Sequence, residues 1–129
     1  MTNLLNILIV VLIAVESSGN NRAIGDNGLA VGCLQIHPIM VQDANRISGK
    51  HYTLFDRYNR RKSVQMCKIY LRHYCTAKRL GHKPTMQDCA RCWCSGPMGY
   101  RKKCSLPYWF KVKKRIKALT GESKLRRRK

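Results

Sequence analysis

The chain has 129 residues, one domain's worth by length, and its 44% hydrophobic content suffices for a buried core. Its 26 Lys and Arg against six acids give a formal charge of +20, which draws polyanions: nucleic acid, anionic lipid or charged bacterial envelope polymers. That composition excludes collagen, coiled coil and wholesale disorder, and it limits carboxylate chemistry to Glu16, Asp26, Asp43, Asp56, Asp88 and Glu122.

Residues 4–15, LLNILIVVLIAV, form a nearly unbroken apolar run. It is shorter than the roughly 20 residues that span a bilayer. Its length suits the apolar part of a signal segment, but no Lys or Arg precedes it and no small-x-small cleavage site follows. A buried core element is the better reading. A helix apolar all round belongs in a protein interior, while the β-branched residues Ile7, Ile9, Val10, Val11, Ile13 and Val15 suit a buried strand equally well, so periodicity alone leaves helix or strand open. Ser17-Ser18-Gly19-Asn20 stops the element. Residues 19–32 are rich in turn formers and read as a loop or a short hairpin around Asp26-Asn27-Gly28.

A helix is predicted over about 60–79, with Val64, Cys67, Leu71, Tyr74 and Cys75 on one face. Thr85-x-x-Asp88 begins a short helix that ends near Gly96-Pro97. In the last helix Ser105 is placed to cap, Pro107 suits the first turn, and Trp109, Val112, Ile116 and Leu119 recur at helical spacing until Gly121 ends it. The domain organisation read from this is a mostly α (α+β) domain over 1–121 and a basic tail over 122–129.

Glu16 is the acid best placed for chemistry. A carboxyl at the end of a dry element is partly desolvated, which favours its neutral form, as a general acid near neutral pH requires. Asp26 lies ten residues on, in a glycine-rich loop able to fold back beside it. Glycosidic cleavage commonly uses two such carboxylates, one as acid and one as nucleophile, base or charge stabiliser. The competing reading of Asp26 is turn chemistry alone.

Four blocks, in order, carry a family resemblance: Ala14-Val15-Glu16-Ser17-Ser18-Gly19-Asn20; Ala23 to Gly28 followed by Gly32-Cys33-Leu34-Gln35-Ile36; Ala90-Arg91-Cys92-Trp93-Cys94-Ser95-Gly96-Pro97-Met98-Gly99-Tyr100; and Ser105-Leu106-Pro107-Tyr108-Trp109. Together they resemble the lysozyme-like muramidases, both the soluble lytic transglycosylase domain and the invertebrate-type lysozymes. The resemblance implies a two-lobed, mostly helical lysozyme-like fold with a glycan cleft, and Glu16 as the acid that protonates the leaving oxygen. Asp26 becomes the second carboxylate on the invertebrate-type pattern, whereas a transglycosylase requires none. Ser17, Gln35, Trp93, Gly96, Pro97 and Tyr100 are the implied substrate-binding residues, with Trp93 or Tyr100 offering stacking faces. No cofactor or metal is implied.

The pattern departs from the family at Cys94-Ser95, where Asn-Gly is expected. Cys94 lacks the hydrogen bonds of an amide, and Ser95 replaces a glycine suited to positive φ. Seven cysteines leave at least one outside intrachain disulfides. Cys89, Cys92, Cys94 and Cys104 invite a zinc reading, but the first three fall in one short helix and its end, which is poor for a tetrahedron, so buried thiols with one or two disulfides are expected. His37, His51, His73 and His82 lack ligand spacing; His37 lies where it can border the cleft, although a structural role is the simpler expectation.

The favoured expectation is a muramidase cutting between N-acetylmuramic acid and N-acetylglucosamine. The alternatives are a lytic transglycosylase on the same bond and a non-enzymatic basic binder of wall polymer or nucleic acid. Expected partners are peptidoglycan strands and anionic envelope polymers, with the protein a monomer. Because the catalytic block starts so near Met1, a cleavable leader would remove part of it, and a phage-type endolysin released through a holin fits that placement.

Overall fold

The first sixteen-residue stretch settles as helix α1 (Thr2–Ser17) in the computed structural model, which describes residues 2–121. Leu5, Leu8, Ile9, Val11, Leu12 and Ile13 are buried against the rest of the core, each such side chain contributing about 1.5–3 kcal/mol through removal from water. The expectation of burial on every side holds for part of the circumference only, since Leu4, Ile7 and Val10 remain 44–59% exposed. Among the described residues no helix is long and apolar enough to cross a membrane.

After α1 the chain makes the short hairpin that the glycine-rich segment predicts. Strands β1 (Ile24–Gly25) and β2 (Ala30–Val31) pair antiparallel, Ile24 opposite Val31, around a 3₁₀ turn at Asp26–Gly28. Helix α2 (Pro38–Ser48) starts with Pro at its N-terminus and ends at a left-handed Gly49. Thr53 and Asp56 form a reciprocal capping box on the 3₁₀ segment Leu54–Tyr58, and α3 (Arg60–Tyr74), which packs on α2, follows with Asn59 as its cap.

The helix expected over 60–79 is two helices. α3 stops at Tyr74, and Thr76 caps the separate short helix α4 (Ala77–Leu80) by accepting the Arg79 N–H. The buried face of α3 is Ser63, Met66, Cys67, Tyr70 and Leu71, with Cys75 buried just past its end, while Val64 and Tyr74 are only partly covered. The predicted Thr85–Asp88 capping box is present on α5 (Met86–Ser95). Helix α6 (Leu106–Leu119) is not capped by Ser105. That hydroxyl is already engaged, donating toward the Gly99 and Lys102 carbonyls and accepting from Arg91. Val112 is buried, Trp109 and Ile116 partly so, and Leu119 is 55% exposed, so the apolar stripe of α6 fades toward its end. The tail expected over 122–129 lies outside the described residues.

The hairpin is held against the 3₁₀ segment by Arg57, whose buried guanidinium donates to the Leu54, Leu29 and Ile36 carbonyls at 2.8–2.9 Å. Among the described residues no carboxylate pairs with it, and burial lowers its affinity for the proton. Gly32 makes this close approach feasible. It has φ +87°, its N–H reaches the Ala23 carbonyl at 2.8 Å, and a Cβ there would collide with the Arg57 carbonyl. Gly32→Ala therefore combines left-handed strain with a backbone collision, and is expected to lower unfolding stability by more than about 2 kcal/mol in denaturant titration. A loss within about 0.5 kcal/mol, the range of ordinary surface substitutions, would contradict this packing.

Candidate active site

The last turn of α1 carries Glu16 out of the core to the floor of a cleft of about 520 Å³. The hairpin and the turn after it contribute Asp26, Gln35 and His37, α2 contributes Met40 and Asp43, and the α5 end contributes Trp93, Cys94, Gly96 and Pro97. Tyr108, in the first turn of α6, closes the remaining side and donates its hydroxyl to Glu16 Oε2 at 2.9 Å. The first and last helices thus meet at one carboxyl.

Burial pushes the Glu16 carboxyl up to about 7, and the negative charge of Asp26 adds to the rise. Donation from Tyr108 and, more weakly, Trp93 opposes it by favouring the carboxylate, as does the His37 charge. Desolvation prevails. The result is an acid that holds a proton to near neutrality while remaining exposed to a cleft. Burial and the adjacent Glu16 also hold the Tyr108 phenol well above its ordinary range, so it is a donor at every relevant pH.

Asp26 stands across the cleft at the hairpin turn, with φ +49°. Its Oδ2 lies 2.8 Å from His37 Nε2, and its side chain is 68% exposed. A left-handed backbone at an aspartate costs on the order of 1 kcal/mol, so the surrounding turn must enforce it. Asp43 also reaches the cleft. Burial raises its carboxyl, but hydrogen bonds from Tyr74 and Arg46 outweigh this and hold it below the usual range, which excludes it as a proton donor at neutral pH.

The structure brings together Glu16, Asp26, Gln35, Trp93, Gly96 and Pro97 among the residues singled out in the sequence. Ser17 and Tyr100 do not join them. Ser17 Oγ turns back to the Ile13 and Cys33 carbonyls and fastens the end of α1 to the hairpin. Tyr100 packs against the core beside Arg79, whose guanidinium carbon lies 6.0 Å from its ring centre. Trp93 is only 4% exposed and meets Tyr70 edge-on at 5.5 Å, so it lends the cleft a wall and offers no free stacking face. Gln35, with φ +52°, donates to the Ala23 and Gly32 carbonyls and so braces the hairpin from within the cleft.

The altered loop is less strained than its sequence suggested. Positive φ falls on Gly96, at +87°, and not on Ser95, so serine there costs nothing in backbone conformation. Cys94 faces the cleft, and all seven cysteines carry free thiols, five of them buried, in place of the one or two disulfides expected. Among the described residues no cluster of His, Cys, Asp or Glu is arranged to hold a metal ion. Tyr108, Ile39, Met40 and Tyr70 line the cleft without having been singled out in the sequence, and Asp43 was there only one acid among six. Tyr108 had a signal, since it lies in the block before α6, but its reach across to Glu16 depends on α1 and α6 packing together.

A family model described as the transglycosylase SLT domain matches residues 1–85, which take in α1, the hairpin and α2 through α4. No curated protein matches the chain. Trp93, Gly96, Pro97 and Tyr108, which complete the cleft, lie beyond the matched part.

Two measurements test the electrostatics of Glu16. Tyr108→Phe removes a donor that favours the carboxylate, so carboxyl NMR titration is expected to move the Glu16 midpoint above its value in the parent protein; a fall would show that the bond does not favour the ionised form. Because the folded carboxyl titrates near 7 and the unfolded one near 4.5, folded chains bind more protons between those values and stability declines as pH rises through that window. Glu16→Gln is therefore expected to raise unfolding stability at pH 8 relative to the parent by on the order of 2 kcal/mol, with the gain shrinking toward pH 4.

Proposed function

The chain belongs to the transglycosylase SLT domain family, lysozyme-like enzymes that cleave the glycan of peptidoglycan, and from that premise we propose that Glu16 is the general acid in scission of the β-1,4 bond between N-acetylmuramic acid and N-acetylglucosamine. The observation that carries this reading is the desolvated Glu16 carboxyl, pushed up to about 7 and held by Tyr108 on the cleft floor. The neutral carboxyl donates its proton to the glycosidic oxygen as the bond breaks and positive charge develops on the sugar. The carboxylate left behind then takes the proton of the attacking hydroxyl, acting as base in the second half of the reaction.

The identity of that hydroxyl decides the product. Attack by the muramyl C6 hydroxyl leaves a 1,6-anhydro end, and attack by water leaves a reducing end. Transglycosylation is favoured by the family match and by the engagement of Asp26 with His37, since one residue, Glu16, serves both halves. Hydrolysis is the second reading, favoured by the presence of Asp26 on the same cleft as a second carboxylate. In either case the Asp26 charge helps keep Glu16 protonated. Gln35, Trp93, Gly96 and Pro97 form the walls along which the glycan lies, and the domain runs over 1–121. The cationic face of α6, with Lys111, Lys113, Lys114, Arg115 and Lys117, supplies attraction to anionic envelope polymers.

Digestion of purified cell walls, with products read by mass spectrometry, tests the proposal. The parent protein is expected to release anhydro-ended muropeptides, and Glu16→Gln to lower the rate by about 10²–10⁴-fold. Reducing ends in place of anhydro ends establish the hydrolytic reading; equal activity in Glu16→Gln removes the assignment. Asp26→Asn takes away a charge that raises the Glu16 carboxyl, so the alkaline limb of the pH–rate profile is expected to move to lower pH.

A further inference from the structure

The hairpin has a second side. Beyond Ile24, two residues before the cleft residue Asp26, lies a separate open groove of about 850 Å³ that shares no lining residue with the cleft. Its character differs from that of a solvated surface. Phe55 is 78% exposed and Ile24 61% exposed, although each loses free energy by facing water. The Phe55 and Tyr58 rings stand 5.6 Å apart at 52°, two aromatic faces inclined over one space.

Polar groups are set among these apolar ones. The Arg22 guanidinium forms no ion pair or hydrogen bond among the described residues, whereas the other cation of the groove, Lys62, is held by Asp56 at 3.1 Å. Asp56 in turn accepts from the Thr53 N–H and titrates below the usual carboxylate range, chiefly through that bond, so its charge is committed within the protein. In the groove wall Asn21 Oδ1 is buried without a hydrogen-bond partner, the one such side-chain atom among the described residues. An exposed Phe55 ring, a partly buried Tyr58 ring, an amide side chain with an unsatisfied oxygen and a guanidinium without a partner among the described residues line one groove, whereas an apolar protein interface would bury charge-free area.

We infer that this groove is a second glycan-binding site, taking the N-acetylated, carboxylate-bearing sugar strand of peptidoglycan outside the catalytic cleft. Phe55 and Tyr58 stack against the C–H faces of the sugar rings. The Asn21 amide, which lines the groove, hydrogen-bonds an acetamido group. Arg22 pairs with a lactyl or peptide carboxylate. A pyranose strand has apolar faces, amides and carboxylates in alternation, and this combination matches the groove better than a lipid surface or nucleic acid would, neither of which presents amide donors beside carboxylates. A second copy of the chain is opposed by the repulsion between two +20 proteins. The short hairpin between the two sites lets a strand leaving the cleft near Asp26 continue past Ile24, so the second site anchors the enzyme on the wall between cuts. This rests on the peptidoglycan reading above.

The test uses the full chain with Phe55→Ala and Arg22→Ala, both at exposed positions outside the cleft, and Phe110→Ala as a control at an exposed ring on α6. Retention on purified sacculi is measured in about 1 M salt, where the Debye length of about 3 Å removes attraction due to overall charge. Turnover of a short soluble muroglycan fragment, which fills only the cleft, is measured in parallel. Phe55→Ala is expected to weaken retention by about fivefold to tenfold, equivalent to about 1–1.4 kcal/mol, while Phe110→Ala retains like the parent. Arg22→Ala is expected to weaken retention more at low salt than at high. Turnover of the soluble fragment stays within about twofold of the parent in all three variants. Undiminished retention of Phe55→Ala, equal losses in Phe55→Ala and Phe110→Ala, or loss of soluble turnover in Phe55→Ala each overturns the second site. A parent protein that cleaves neither substrate counts against the proposed reaction instead, and the groove is then read independently: chitotetraose is expected to shift the Phe55 and Tyr58 ring resonances, and unshifted rings overturn it.

Discussion

The hydrogen bond from Tyr108 to Glu16 joins residues 92 positions apart, and the cleft depends on the packing that brings them together. For the bond to form, α1 must lie against α6 with its last turn at the surface and the rest of its inner face in the core. The same burial removes water from around Glu16 and raises its carboxyl. A single physical circumstance, a carboxyl at the boundary between a dry helix and a wet cleft, thus fixes where the acid sits, what protonation state it holds and which partner orients it. Opposing contributions leave the acid poised. Desolvation and the Asp26 charge favour the neutral form, while the phenol, the indole and the His37 charge favour the ionised one.

The hairpin opposite is small, only two residues per strand, and could not persist alone. It is held by tertiary contacts: Arg57 reaching three backbone carbonyls, Gln35 bracing from the cleft side, and Gly32 allowing the backbones to approach. The hairpin so held carries left-handed conformations at Asp26, Asn27 and Gln35, and of these Asp26 and Gln35 line the cleft. Strain at these positions is maintained by the surrounding packing and aims polar side chains where free turns would not. The hairpin also separates the cleft from the outer groove, so one element organises both surfaces.

Much was legible in the sequence. The capping signals at Thr85 and Asp88, the turn at Asp26-Asn27-Gly28 and the stop after Ser17 are local effects, fixed by side chains bonding to nearby backbone or by residues that tolerate left-handed geometry. Where expectation and structure parted, long-range contacts were responsible. Ser105 has the right residue type for a helix cap, but Arg91 and two carbonyls engage its hydroxyl first. Ser17 and Tyr100 belong to blocks that run through the cleft, yet one is turned into the α1 end and the other into the core. The helix over 60–79 divides because Thr76 offers a cap that periodicity of apolar residues does not register.

By itself, then, the sequence determined the segments and their chemistry: an apolar element ending in Glu16, a glycine-rich turn bearing Asp26, capped short helices, a cationic surface, and a family likeness spread over ordered blocks. Those features are governed by interactions within a few residues, and by residue types that need no knowledge of the partner. Tertiary structure alone decided that Tyr108 is the residue that meets Glu16, that Asp43 shares the cleft but is committed to Arg46 and Tyr74, and that the Phe55 and Tyr58 rings line one groove with Arg22, whose guanidinium has no partner among the described residues. Each depends on which distant elements are brought into contact and how much water is left between them. Desolvation and long-range hydrogen bonding are properties of that packing, and no local pattern encodes them.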